Sequence, residues 1–128
     1  MEFTITDFFN APPEEIYRTW LDSKGHSEMT GGEAYITHKT GEKFTAWDGY
    51  ISGRNLELEP DKKIVQSWRS SEFDFEEEDS LLEIRLEKEN GGTRLSLKHS
   101  NLSEEGIKYK QGWIDNYFTP MKKYFEKS

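Results

Sequence analysis

The sequence contains no cysteine in its 128 residues. Disulfides, thiolate zinc sites and a cysteine nucleophile are therefore excluded, because each of them needs a thiol. A chain without cysteine fits a reducing compartment, and we expect the protein to be cytoplasmic.

Positive charge and long apolar runs are also scarce. The chain carries 17 Lys and Arg against 25 Asp and Glu, a formal net charge of -8. This excess of acid argues against nucleic acid and anionic membranes as partners, because phosphate contacts need clustered basic residues. No apolar run approaches the roughly 18 residues of a membrane span. The start, "MEFTITDFFN", lacks the basic and apolar regions of a secretory signal.

Sequence motifs for catalysis are missing as well. The three histidines, His26, His38 and His99, lie on different predicted elements and form no metal-binding pattern. The chain has neither a G-x-S-x-G elbow nor a glycine-rich phosphate loop. We therefore assign no catalytic residue, no metal site and no cofactor.

Aromatic residues are plentiful: they make up 14% of the chain, although hydrophobic residues reach only 33%. Their large apolar area makes one packed core plausible in a chain of this length. We expect a single domain over residues 1–128.

The amino-terminal part predicts one strand and two short helices. Residues 2–9 alternate between apolar and polar positions, as a half-buried strand does, and Pro12 and Pro13 end that pattern. Proline and two glutamates then favour a short helix that ends near Asp22. A second short helix is expected around Ser27.

The remaining chain predicts a meander of strands and a long helix. Turn-rich separators such as "EPDKK" and "ENGGT" favour antiparallel hairpins. The predicted strands span residues 33–38, 42–47, 49–59, 62–70, 79–89 and 93–100. Ser103 is a suitable N-cap for one long amphipathic helix whose apolar stripe comprises Ile107, Ile114, Phe118, Met121 and Phe125.

Strand parity assigns one face of the sheet to the interior. The predicted inner residues are Leu56, Leu58, Ile64, Trp68, Leu82, Ile84, Leu86, Leu95 and Leu97. Six or seven strands are much wider than one helix, so the sheet must curl around it. We expect the alternation to slip near Gly53, at a bulge or bend that provides this curvature.

A curled sheet leaves room for a pocket. Two polar residues, Gln66 and His99, share the apolar parity and are candidates for orienting a ligand; the alternative is that they bond to internal partners. The other candidate ligand-binding residues are the aromatics Trp47, Tyr50, Trp68, Trp113 and Tyr117; the alternative is that they belong to the core. Gly112, inside the terminal helix, indicates close approach of another element.

Three segments together resemble a known family: "APPEEIYRTWLD", "SGRNLELEPDKKIVQSW" and "GWIDNYFTPMKKYFE". They resemble the single-domain proteins similar to the Hsp90 ATPase activator, in the START and Bet v 1-like (SRPBCC) helix-grip superfamily. The resemblance covers nearly the whole chain. It implies an α+β fold in which a curved antiparallel sheet grips the long C-terminal helix, with a hydrophobic cavity between them.

Three functions remain open from the sequence. The first is binding of a small hydrophobic or amphipathic molecule in the cavity. The second is a protein-interaction module, such as a chaperone cofactor, that uses the acidic loop at 72–79, where six of eight residues are acids. That loop can also be read as simply solvated. The third is a cofactor-free cyclase, dehydratase or isomerase that uses His99.

Overall fold

The computed structural model describes residues 1–126. Its elements in chain order are strand β1 (Phe3–Phe9), helices α1 (Pro13–Trp20) and α2 (Ser23–Thr30), strands β2 (Lys43–Ala46), β3 (Ile51–Glu59), β4 (Lys63–Ser70), β5 (Ser80–Glu89) and β6 (Gly92–Ser100), and then a terminal helical segment. The two short helices after the first strand are confirmed.

The six strands form one antiparallel sheet in the order β1-β6-β5-β4-β3-β2. Strands β2 to β6 are a simple meander, and β1 returns to pair with β6, with Phe3 opposite His99. The sheet curves around the terminal helical segment, and its inner side chains join those of the helices in one core. The predicted α+β fold is confirmed, with six strands.

The prediction of a strand at residues 33–38 is wrong. Only one isolated bridge forms there, between Tyr35 and Thr45. The backbone N–H of Ala34 donates instead to Ser27 Oγ, and that of Ile36 to Ser23 Oγ, both at 2.9 Å. Tyr35, between them, exchanges both of its backbone hydrogen bonds with Thr45 of β2, at 3.0 and 2.9 Å. The segment is therefore held between α2 and the edge of the sheet, and it forms a single bridge instead of a continuous ladder.

The slip in the strand pattern lies two residues beyond the expected position. The β3–β4 register shifts between Asn55 and Glu57. Leu56 sits in this bulge and is 46% exposed, so its predicted place on the inner face is wrong. Gly53 is needed for a different reason: a Cβ there would lie 1.9 Å from the carbonyl oxygen of Ser67.

The terminal segment is helical but irregular. It consists of a 3₁₀ turn (Glu104–Ile107), helix α3 (Lys108–Trp113), a π-helical turn (Ile114–Phe118) and helix α4 (Thr119–Glu126). Ser103 precedes it as expected, but its side chain makes no capping hydrogen bond.

The apolar stripe of this segment differs from the prediction at one end. Ile107 is 51% exposed, whereas Phe118, Met121 and Phe125 are buried as expected. A π turn holds one extra residue, and each residue rotates a helix by about 100°. Heptad positions that face the sheet after the π turn therefore do not face it before the turn. None of the helices within residues 1–126 is long and apolar enough to cross a membrane.

Candidate functional site

An open pocket of about 390 Å³ lies between the terminal helical segment and the sheet. One wall comes from the β2–β3 turn, a second from β4 and the loop after it, and a third from α3 and the π turn. The lining residues are Trp47, Tyr50, Ile51, Trp68, Glu72, Lys108, Tyr109, Gly112, Trp113, Asn116 and Tyr117.

The structure brings five of the seven predicted site residues together at this pocket. Trp47 and Tyr50 come from the β2–β3 turn, Trp68 from β4, and Trp113 and Tyr117 from the terminal segment. Gln66 and His99 do not line it. Both are buried on the inner face of the sheet and bond to other residues.

Gln66 belongs to an internal amide pair. Its Nε2 donates to Asn55 Oδ1 at 2.8 Å, and Asn55 Nδ2 donates to the carbonyl oxygens of Thr37 and Lys39. The pair fastens the irregular segment after α2 to the sheet. The amide nitrogen of this polar residue on the apolar face thus has an internal partner.

His99 lies in a closed chain of hydrogen bonds. Trp113 Nε1–H donates to His99 Nδ1 at 3.0 Å, so His99 Nε2 carries the proton and donates to Ser80 Oγ at 2.8 Å. Ser80 in turn donates to the carbonyl oxygen of Trp68. Burial lowers the pKa of His99 to about 3. The imidazole has no nitrogen left for a substrate, so it offers no acid or base to the pocket.

A second buried histidine supports the other side of the helix. Tyr117 Oη–H donates to His26 Nε2 at 2.7 Å, while His26 Nδ1–H donates to the carbonyl oxygen of Trp20 at 2.8 Å. Burial lowers the pKa of His26 to about 4. Trp20 stacks on Trp113. No role for His26 is predicted from the sequence. Met29 and Thr30 follow it by three and four residues and are buried, so helical spacing places His26 on the inner face of α2.

Glu72 and Lys108 form a polar bridge at the pocket. Lys108 Nζ donates to Glu72 Oε1 at 2.9 Å, and the Tyr50 hydroxyl donates to Glu72 Oε2. These two hydrogen bonds lower the pKa of the Glu72 carboxyl, and burial together with Glu72 raises the pKa of Tyr50. Lys108 Nζ also lies 5.4 Å from the centre of the Tyr109 ring. No pattern in the sequence indicates this bridge.

The acidic loop at 72–79 folds around one basic side chain. The Arg69 guanidinium donates to Asp79 Oδ1 and to the carbonyl oxygens of Asp74 and Glu77, and it lies over the ring of Phe73. Phe75 is fully exposed at the surface of this loop. Arg69 therefore fixes the loop's conformation, while most of its acids face water.

Trp47 is held in a left-handed backbone conformation, with φ of 51°. A side chain rarely adopts this conformation outside a turn. The indole packs directly on Gly32, where a Cβ would lie 2.5 Å from the ring. Gly32 thus sets the position of one wall of the pocket.

Comparisons with known proteins agree with this architecture. Residues 10–126 match the family model described as "Activator of Hsp90 ATPase homolog 1-like protein". The chain belongs to this family. The human "Activator of 90 kDa heat shock protein ATPase homolog 1" is 29% identical over 97% of the chain. The chain spans 37% of the length of that relative and of its mouse counterpart, which is 27% identical.

Solved structures show the same helix-grip fold. A structure described as an HSP90 activator from Plasmodium falciparum has a TM-score of 0.84 and 25% identity, and the match covers 93% of this chain and 91% of that one. CalU16 from Micromonospora echinospora has a TM-score of 0.74 and 27% identity, with 88% of this chain and 68% of that one covered. The family and fold implied by the resemblance are confirmed.

Proposed function

We propose that residues 1–128 form a single binding domain that holds a small hydrophobic or amphipathic molecule in the pocket beside the terminal helical segment. The observation that carries this proposal is the convergence of six aromatic side chains on one open pocket of about 390 Å³. Small-molecule sites have volumes of roughly 300–1,000 Å³ and mostly apolar walls with a few polar groups. The polar groups here are Glu72, Lys108, Asn116 and the hydroxyl of Tyr50.

The proposed binding residues are those of the predicted set that line the pocket, namely Trp47, Tyr50, Trp68, Trp113 and Tyr117. His99 supports the wall residue Trp113 from behind, whereas Gln66 is bound to Asn55. The closed hydrogen-bond chain of His99 argues against the cofactor-free enzyme, because that hypothesis needs a free imidazole nitrogen. The cytoplasmic location stays a prediction.

An amide and indole chemical-shift titration of the labelled protein tests the proposal. The probes are fatty acids, sterols, flavonoids and aromatic acids. The chain has four tryptophans. Trp47, Trp68 and Trp113 line the pocket. Trp20 does not line it but stacks on Trp113, so the backbone amide of the exposed Glu87, on the outer face of β5, is the internal control. Saturable shifts of the three pocket indoles are expected with at least one probe class. Their absence with every probe would contradict the pocket's proposed role.

A second candidate function is action on an Hsp90-type chaperone. The observation that favours it is the match to relatives whose names state that activity. We propose the acidic loop with its exposed Phe75 as the contact surface, because an acidic surface attracts a basic partner.

Binding to Hsp90, measured at low and high salt, tests this second function. The double variant Glu76→Gln with Glu78→Gln removes two exposed charges of the loop, and Glu87→Gln on the outer face of β5 is the control. Weaker binding of the loop variant at low salt, by about threefold or more, is expected. Equal binding of all variants would show that the acidic loop is not part of the interface.

A further inference from the structure

We infer that the pocket takes a ligand with an organic cation, an ammonium or quaternary ammonium group on a small apolar body. The inference rests on the proposed binding function and names the chemical class of its ligand. It follows from three features of the described residues: the aromatic lining, the one carboxylate in that lining, and the position of Lys108.

The aromatic lining provides a surface that attracts cations. Trp47, Tyr50, Trp68, Tyr109, Trp113 and Tyr117 all contribute to it. The negative face of each ring favours a positive charge within about 6 Å of its centre, and tryptophan is the strongest of the three ring types. Three of the six rings are indoles. An apolar neutral molecule could use the same walls, so the rings alone do not decide the charge.

Glu72 is the only acid in the pocket lining of the described residues. It keeps its negative charge because the Tyr50 hydroxyl and Lys108 hydrogen-bond to it and thereby lower its pKa. The carboxylate is therefore negatively charged at neutral pH and can act as a counter-ion to a ligand cation. Tyr50 also holds that carboxylate in place while lining the pocket itself.

Lys108 already places a cation in this environment. Its ammonium lies 2.9 Å from Glu72 Oε1 and 5.4 Å from the centre of the Tyr109 ring. The side chain is 51% exposed on a helix surface, so it can swing into water at little cost. A ligand cation would take the same two partners, and Lys108 would compete with it.

The surrounding charge favours a cation over an anion. The acidic loop that begins at Glu72 carries six acids in eight positions, and its neighbour Arg69 is already bound to the carbonyl oxygens and one carboxylate of that loop. The net charge of the chain is -8. This field raises the local concentration of cations and repels anions.

Two matched probes test the charge. Choline carries a trimethylammonium group, and 3,3-dimethylbutan-1-ol has the same shape without the charge. Titrations monitored by the indole signals of Trp47, Trp68 and Trp113 should give a dissociation constant about 3- to 10-fold lower for choline. Equal or tighter binding of the neutral alcohol overturns the inference and leaves the proposed binding function intact. No saturable shift with choline, while a panel compound binds, overturns it as well.

Substitutions of Glu72 and Lys108 should change the affinity for choline in opposite directions. Glu72→Gln should reduce the preference for choline, leaving the part that the aromatic rings provide, whereas Glu87→Gln, on the outer face of β5, should keep it in full. Lys108→Met removes the competing ammonium but keeps an apolar side chain, so choline should bind several-fold more tightly. If Lys108→Met weakens choline binding, Lys108 does not compete with the ligand cation and the inference fails. If an aromatic carboxylate binds more tightly than choline, Lys108 is the ligand's partner and the inference fails as well.

Discussion

Replacing Gly112 with larger side chains should stabilise the fold and close the pocket. Gly112 lies in α3 and lines the pocket. The prediction that another element approaches this glycine closely is wrong. A Cβ at this position would meet only the Asn116 side chain, at 3.9 Å.

The expected gain in stability follows from helix propensity. Alanine is favoured over glycine in a helix interior by about 1 kcal/mol, and no contact opposes the added methyl group. For a domain of this size, that free energy corresponds to a rise in Tm of about 3–5 °C. Thermal unfolding of Gly112→Ala followed by circular dichroism measures it.

Gly25→Ala is the matched control. Gly25 also lies in a helix, α2, but a Cβ there would lie 3.0 Å from the carbonyl oxygen of Thr19. The propensity gain is therefore offset by a tight contact, and we expect a smaller rise or a loss. A fall in Tm for Gly112→Ala would refute the reasoning, since it would mean that Gly112 does not face open space.

Gly112→Leu places a larger side chain in the pocket that Gly112 lines. The side chain fills space that a ligand would need, so the affinity for a compound that binds the native protein should fall by about tenfold or more, equivalent to about 1.4 kcal/mol. If Gly112→Leu keeps its stability but loses binding, the open pocket is needed for binding and not for folding. Unchanged affinity would place the bound compound elsewhere on the protein.

Three further predictions concern the histidines and the pocket wall. The folded-state pKa values of His26 and His99 lie near 4 and 3, below the ordinary value of 6.5, so the unfolded chain binds more protons and stability should be lost as pH falls below 6.5. The free energy of unfolding from urea titrations should fall by roughly 2 kcal/mol per histidine from pH 7 to pH 5, and a flat profile would contradict the buried neutral state. Tyr117→Phe leaves His26 Nε2 without its donor and should cost about 1–3 kcal/mol in the same assay, whereas no cost would mean that water replaces the hydroxyl. Gly32→Ala should push the Trp47 indole from its place and shift its fluorescence or indole N–H signal, and an unchanged signal would show that the ring does not rest on Gly32.

Most of the fold could be predicted because its signals are local. Alternating residues mark β4, β5 and β6, and asparagine with glycine marks the turn at Asn90, where φ is positive at both residues of the Asn-Gly pair. The reduction of the expected strand at residues 33–38 to a single bridge could not be predicted, since the N–H groups of Ala34 and Ile36 donate to serine side chains of α2 while Tyr35 alone bridges to β2. Such a long-range side-chain bond leaves no periodic trace in the sequence.

The site was predictable in part, for a related reason. Aromatic residues on strands and helices drew attention to the pocket walls, and five of them meet there. A polar residue on the inner face of a strand gives the same sequence pattern whether it binds a ligand or an internal partner. Gln66 and His99 could therefore not be recognised as internally bonded before the structure showed their partners. Glu72 and Lys108 were missed because each looks like an ordinary surface charge, and only the fold pairs them across 36 residues.

The two histidine chains explain why the pocket wall has one defined position. On each side of the terminal segment an aromatic residue donates to the acceptor nitrogen of a buried neutral histidine: Trp113 to His99, and Tyr117 to His26. The other nitrogen of each histidine donates to a fixed partner, Ser80 on the sheet or the Trp20 carbonyl of α1.

Protonation of His99 would turn its acceptor nitrogen into a donor that faces the donor-only indole N–H of Trp113, and would break that contact with the helix. At His26 the Tyr117 hydroxyl could reverse and accept, so burial of the positive charge is what opposes protonation there. The residues that keep His26 and His99 neutral therefore also hold the terminal segment against the sheet on one side and against the short helices on the other. In the folded protein both rings stay neutral until the pH approaches 4. The affinity of a ligand that does not itself titrate should therefore be unchanged from pH 7 to pH 5, although stability falls over that range, and should decline only as the pH nears 4. Titrations at these three pH values, followed by the pocket indole signals, measure this, and a fall in affinity already at pH 5 would contradict the neutral folded-state rings.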